Sequence, residues 1–125
     1  MKSITGIGLG DVQSVYGGPE GDLWELLMGQ QVHIGGLQSS QDLAERAHIV
    51  PGWQGVDLCC CTGAGMRFLV RFRNVASMIG VDATDLVIAR GQERCRAQNL
   101  SDCIRFVKAD ACNTGLATAA VDFVW

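Results

Sequence analysis

Between Val56 and Gly65 the sequence passes from Val56-Asp57-Leu58, a short apolar strand signal, straight into Cys59-Cys60-Cys61-Thr62-Gly63-Ala64-Gly65, a run of small residues that opens a helix. A buried strand, a tight loop and a helix start form the unit with which α/β folds bind nucleotide-like cofactors, at the carboxyl ends of their strands. Such loops usually carry glycine where this one carries Cys59 and Cys61. The segment therefore points to a cofactor site and to an alteration within it.

The pattern after this segment alternates. Strands are predicted over residues 56–58, 78–81, 104–107 and 121–125. Helices are predicted over 65–72, with Met66, Leu69 and Val70 inward, and over 85–98. Apolar strands joined by helical crossovers imply a parallel sheet covered on both faces. Gly91 inside the second of these helices costs about 1 kcal/mol relative to alanine, so that helix must rest on tertiary packing.

The first half reads differently. Residues 1–22 hold six glycines without periodicity and predict a mobile or loosely docked arm. Residues 23–28 form a short helix candidate between Pro19 and Gly29. Ser39-Ser40-Gln41-Asp42 offers an N-cap and an acidic first turn for a helix carrying Leu43, Ala44, Ala47 and Ile49, stopped by Pro51-Gly52. The expected organisation is an arm and helical cap over 1–50 and a cofactor-binding body over 51–125.

With 125 residues, 48% of them hydrophobic, and a formal net charge of −3, the chain has the composition of one globular α/β domain and no basic footprint for nucleic acid or an anionic membrane. Arg67, Arg71 and Arg73 are accordingly expected at a solvated helix end. No apolar run approaches the ~20 residues of a membrane span. Six cysteines without a secretory leader pattern predict a reduced, cytoplasmic protein. Three consecutive cysteines with no C-x-x-C or H-x-x-x-H partner predict packing of small residues and no metal site.

Three carboxylates fall at strand ends: Asp57 beside the loop, Asp82 after Ile79-Gly80-Val81, and Asp110 after Phe106-Val107-Lys108-Ala109. Each has a plain structural alternative, as a helix cap for Asp57 and Asp82 or an Asx turn for Asp110. Their shared sheet edge favours a ligand instead, because open α/β sheets bind along that edge.

These segments resemble, in order, the motifs of the class I S-adenosylmethionine-dependent methyltransferases. Val56-Asp57-Leu58-Cys59-Cys60-Cys61-Thr62-Gly63 is similar to the first, Ile79-Gly80-Val81-Asp82-Ala83-Thr84 to the second, and Phe106-Val107-Lys108-Ala109-Asp110-Ala111 to the third. Val121-Asp122-Phe123-Val124-Trp125 resembles the start of the fourth. Trp24 and Val32-His33-Ile34-Gly35-Gly36 resemble the lid of small-molecule members, particularly the glycine, sarcosine and dimethylglycine N-methyltransferase type.

The resemblance implies a Rossmann-like body with S-adenosyl-L-methionine as cofactor. Asp82 with Ala83 would lie at the ribose, Asp110 and Ala111 at the adenine, and Asp57, Cys59, Cys61 and Gly63 near the methionine portion. His33 and Trp24 are the substrate candidates, and no catalytic acid or base is assigned. The family usually carries a seven-stranded sheet, whereas this chain ends at what would be its fourth strand. It therefore reads as a truncated half-domain of strand order 3-2-1-4, with Val121, Phe123, Val124 and Trp125 forming an exposed apolar edge that a second copy would cover in a homodimer. Two functions follow. One is methyl transfer to a small-molecule acceptor; the other is a non-catalytic adenosyl-ligand binder or dimeric interaction protein. A nicotinamide dehydrogenase fits less well, since its G-x-G-x-x-G fingerprint is absent from the loop.

Overall fold

A computed structural model describes residues 6–31 and 33–125. Residues 1–5 of the expected arm, and Val32, lie outside them. Three helices, α1 (Leu9–Tyr16), α2 (Pro19–Met28) and α3 (Gly36–Arg46), precede the sheet. Then follow β1 (Gln54–Leu58), α4 (Ala64–Arg73), β2 (Ser77–Asp82), α5 (Asp85–Ala97), β3 (Ile104–Lys108) and β4 (Phe123–Val124). The strands run parallel in the order β3-β2-β1-β4. The sheet and its order agree with the half-domain read from the sequence.

Interior strands of a parallel sheet read as nearly continuous apolar runs, and β1 and β2 bury Val56, Met78 and Val81. The core continues through Met66, Phe68 and Leu69 of α4, Cys95 of α5, Ile104 of β3, and Ala44 and Ile49 in and after α3. Gly91 of α5 is explained by packing. A Cβ there would stand 2.6 Å from the Phe106 ring and 3.0 Å from the Thr62 carbonyl oxygen. The same ring would lie 2.8 Å from a Cβ on Gly63, so Phe106 is held between two glycines and has no free side to move toward.

Four expectations are corrected. The segment expected as an arm is helical from Leu9: Asp11 accepts a hydrogen bond from the Gly8 N–H at 2.8 Å, satisfying one of the orphan amides of α1. Helix α3 begins at Gly36, before the proposed Ser39 cap, because Gly35 (φ 88) and Gly36 (φ 52) take left-handed turns that bring the chain into the helix early. Ser39 then bonds back to the carbonyls of Ile34 and Gly36, and Leu43 and Ala47 are exposed. Arg67 is buried at 4% exposure, its guanidinium donating to the Thr62 carbonyl and to Gln30 Oε1.

The fourth correction concerns the sheet edge. Only Phe123 and Val124 form strand pairs, although backbone bonds from Asp122 to Gln54 and between Trp125 and β1 extend the contact. Phe123 lies over the bare backbone of Gly55, with its ring centroid 6.2 Å from that of Trp53, and Trp125 tilts onto Phe68. Val121, Phe123 and Trp125 are thus half-buried, and Val124 alone is exposed, at 63%.

The Phe106 wedge generates a stability prediction. Alanine at 91 gains about 1 kcal/mol of helix propensity but overpacks the ring and a backbone carbonyl, which typically costs 1–3 kcal/mol. Gly91→Ala should be destabilised by about 1 kcal/mol in urea denaturation; a stabilised variant would show that the ring yields.

Candidate functional site

The chain reverses between Leu58 and Ala64 through three left-handed residues, Cys59 (φ 58), Cys61 (φ 49) and Gly63 (φ 74). Glycine takes this conformation freely; for each cysteine it costs roughly 1–2 kcal/mol. Hydrogen bonds hold the turn. Cys60 N–H donates to the Val81 carbonyl at 3.1 Å and Gly63 N–H to the Cys60 carbonyl at 2.8 Å, while Cys61 N–H donates to Asp82 Oδ2 at 2.9 Å. The Cys60 side chain points into the core, leaving Cys59 exposed and Cys61 half-buried at the top of the sheet.

The other oxygen of Asp82 accepts the Thr84 N–H at 2.9 Å, at the start of α5. One carboxylate therefore ties the β1 loop to the β2 turn, through an Asx-type bond ahead of α5, whose N-cap is Thr84. Asp110 Oδ1 accepts the Cys112 N–H at 2.8 Å in the Asx turn foreseen for it. Asp57 does neither. It is 7% exposed, and its pKa is pushed up from 3.8 to about 7 by burial and then by the negative charge of Asp82.

Two cavities open on this edge. The larger, about 370 Å³, brings together Cys59, Cys61, Asp82, Ala83, Asp110 and Ala111 from the ends of β1, β2 and β3. Its outer wall is α1, through Leu9, Val12 and Tyr16. These three were missed in the sequence because the glycines masked their helical spacing of three and four residues. The smaller cavity, about 200 Å³, contains Asp57 and His33 and shares Cys59 and Cys61 with the first. Gln30 and Gln31, which no sequence signal marked, also line it, as does Trp125 from the fourth motif segment.

His33 is anchored on both ring nitrogens, to Gln31 and Ser40 on one side and to Ser39 and the Ile34 carbonyl on the other. Gly63 lines neither cavity and serves the turn and the Phe106 wedge. Trp24 lines neither of them; it is half exposed on α2 beside a separate small crevice.

The thiols at the junction of the two cavities are held protonated. Burial, followed by the charges of Asp82, Asp57, Asp110 and Cys112, raises the pKa of Cys59; burial raises those of Cys60 and Cys61. The wall between the cavities is thus uncharged sulfur at neutral pH. Among the described residues, no group of three or more His, Cys, Asp or Glu side chains is placed to hold a metal, and no helix is long and apolar enough to cross a membrane.

The profile of a family described as a methyltransferase domain matches residues 56–125, from the first residue of the loop motif to the last of the fourth strand segment. The chain belongs to this family. Solved structures show the same fold. A putative sarcosine dimethylglycine methyltransferase from Galdieria sulphuraria is similar with TM-score 0.70 and 22% identity over 75% of this chain and 36% of that one. The [4+2]-cyclase SpnF matches with TM-score 0.67 and 22% identity, over 91% of this chain and 43% of its own. A SAM-dependent methyltransferase from Thiobacillus denitrificans, in complex with S-adenosyl-L-homocysteine, matches with TM-score 0.63 and 17% identity, over 82% and 40%. The chain thus spans less than half the length of each. No curated protein matches it.

Asp57 makes the stability of the methyltransferase domain depend on pH. Below about pH 4 both folded and unfolded chains hold its proton; above that the unfolded chain releases it while the folded one keeps it up to about pH 7. The folded state therefore loses stability as pH rises through this window, by about 4 kcal/mol from this group alone. Urea denaturation from pH 4 to 8 should show the loss in the wild type and a flatter profile in Asp57→Asn. An unchanged profile would remove Asp57 as its source.

Proposed function

We propose that the upper edge of the sheet binds S-adenosyl-L-methionine and that the protein transfers its methyl group to a small-molecule acceptor. The observation that carries this reading is the single cavity that gathers Cys59 and Cys61, Asp82 and Ala83, and Asp110 and Ala111 from three successive strand ends. A cavity of about 370 Å³ is at the lower end of the volumes that hold small-molecule ligands, and it suits a nucleoside. Asp82 has given one lone pair on each oxygen to a backbone N–H, and its remaining acceptor capacity suits the two ribose hydroxyls. Val81 and Val87 supply apolar surface for a base, with Asp110 and Ala111 at its rim.

In this reading the methionine portion crosses the junction at Cys59 and Cys61 toward Asp57. His33, in the second cavity, lies on the acceptor side. When bound, the cofactor supplies a methyl group made electrophilic by its sulfonium. The chain's own residues contribute position and exclusion of water: Asp82 orients the ribose, α1 covers the larger cavity, and the protonated thiols present no competing charge. Residues 1–50 act as the cap and 51–125 as the cofactor body.

A second reading has one specific observation in its favour. The left-handed Cys59 and Cys61 place side chains where glycine would leave room, so the same site could hold an adenosyl ligand without transfer. For the assembly we propose a homodimer through the free edge of β4, supported by the 63% exposure of Val124. The six free thiols support a cytoplasmic setting.

Calorimetric titration should give saturable binding of S-adenosylmethionine and S-adenosylhomocysteine, at least tenfold weaker in Asp82→Ala and tighter in Cys61→Gly. Lack of binding at millimolar ligand would overturn the reading, and binding without transfer to any amine, hydroxyl or thiol acceptor would favour the second. Light scattering should give twice the chain mass at micromolar concentration. A monomer there would dispose of the dimer.

A further inference from the structure

Thr62, the fourth residue of the loop, is gripped by two arginines. Arg94 of α5 donates from Nη1 to its hydroxyl at 3.0 Å, and Arg67 of α4 donates from Nη1 to its carbonyl at 2.5 Å. Each arginine also reaches the α2 region. Arg94 pairs with the carboxylate of Glu25 on α2, and Arg67 Nη2 donates to Gln30 Oε1, two residues beyond the end of α2, at 2.9 Å. The contacts close a ring: α2, α5, loop, α4 and back to α2.

Helix α2 packs on α1, and these polar contacts, with Arg90–Asp22, are what tie it to the α5 side of the domain. It buries no residue, and its amphipathicity is inverted, with Asp22 and Glu25 turned to Arg90 and Arg94 while Leu23, Leu26 and Leu27 are 54%, 81% and 69% exposed. The loop is strained at two non-glycine positions, and such conformations persist only where their surroundings over-determine them. One end of the polar ring therefore depends on the other.

We propose that Arg94 and Arg67 are positioning residues that couple α2 to loop 59–63, so that docking of α2 and formation of the ligand-ready loop are one event. Thr62 directly follows Cys61, whose N–H engages Asp82 and whose side chain lines both cavities. A ligand seated on the ordered loop holds α2 in place, and release of α2 loosens the loop by the same factor, because coupling between sites is reciprocal. The ligand half of this statement rests on the cofactor reading above; the coupling of α2 to the loop does not.

Hydrogen–deuterium exchange on the full chain tests it, with Glu25→Gln, Gln30→Ala and the double variant. Both positions lie outside the core, so β2 and β3 serve as internal references. Without ligand, exchange over residues 59–63 should rise at least fivefold in the double variant, with β2 and β3 unchanged. Faster exchange in α2 with a wild-type loop would overturn the coupling. Should the double variant lose protection in β2 as well, Glu25→Gln alone decides: loop exchange should rise relative to β2, and a loop that keeps pace with β2 overturns the proposal. S-adenosylhomocysteine should slow α2 exchange at least fivefold in the wild type and not in the double variant. Equal slowing in both counts against the coupling, whereas no binding to the wild type defeats the cofactor reading and leaves the unliganded comparison decisive.

Discussion

The hydrogen bond from the Cys61 N–H to the Asp82 carboxylate is the contact on which the top of the sheet depends. Parallel pairing of β1 with β2, in the register Leu58↔Val81, brings the loop over the residue that ends β2. The carboxylate then holds the loop with one oxygen and the first turn toward α5 with the other. Both cavities share Cys59 and Cys61, so the shape of each follows from this junction.

Much of this was legible in the chain. The strand segments around Val56, Ile79 and Phe106 are apolar runs bounded by turn residues, and their order fixed both the sheet and the three carboxylates along its edge. Left-handed backbone at Cys61 could be anticipated from the position glycine usually holds there. The burial of Arg67 could not, because it depends on Gln30, 37 positions away in sequence, and on a carbonyl exposed by the loop's own strain. Helix α1 was hidden for another reason: Gly6, Gly8, Gly10, Gly17 and Gly18 lower local helix propensity, and the cap that rescues it comes from Asp11.

The packing beneath the site is equally specific. Phe106 fits only because Gly63 and Gly91 both lack a Cβ, which fixes the spacing between the loop, α5 and β3. This scaffold does not dictate a reaction. Structures named as methyltransferases and one named as a [4+2]-cyclase share the fold, so chemistry must be argued from the cavities and their side chains.

Asp57, Asp82 and Asp110 give the sheet edge a sign. In the proposed transfer a sulfonium enters and a neutral thioether leaves, so the three acids favour the reactant over the spent product. Such an edge weakens its own product inhibition. The share due to Asp57 grows as it ionises near pH 7, which makes capture of the sulfonium, more than release of the neutral product, the step that responds to rising pH.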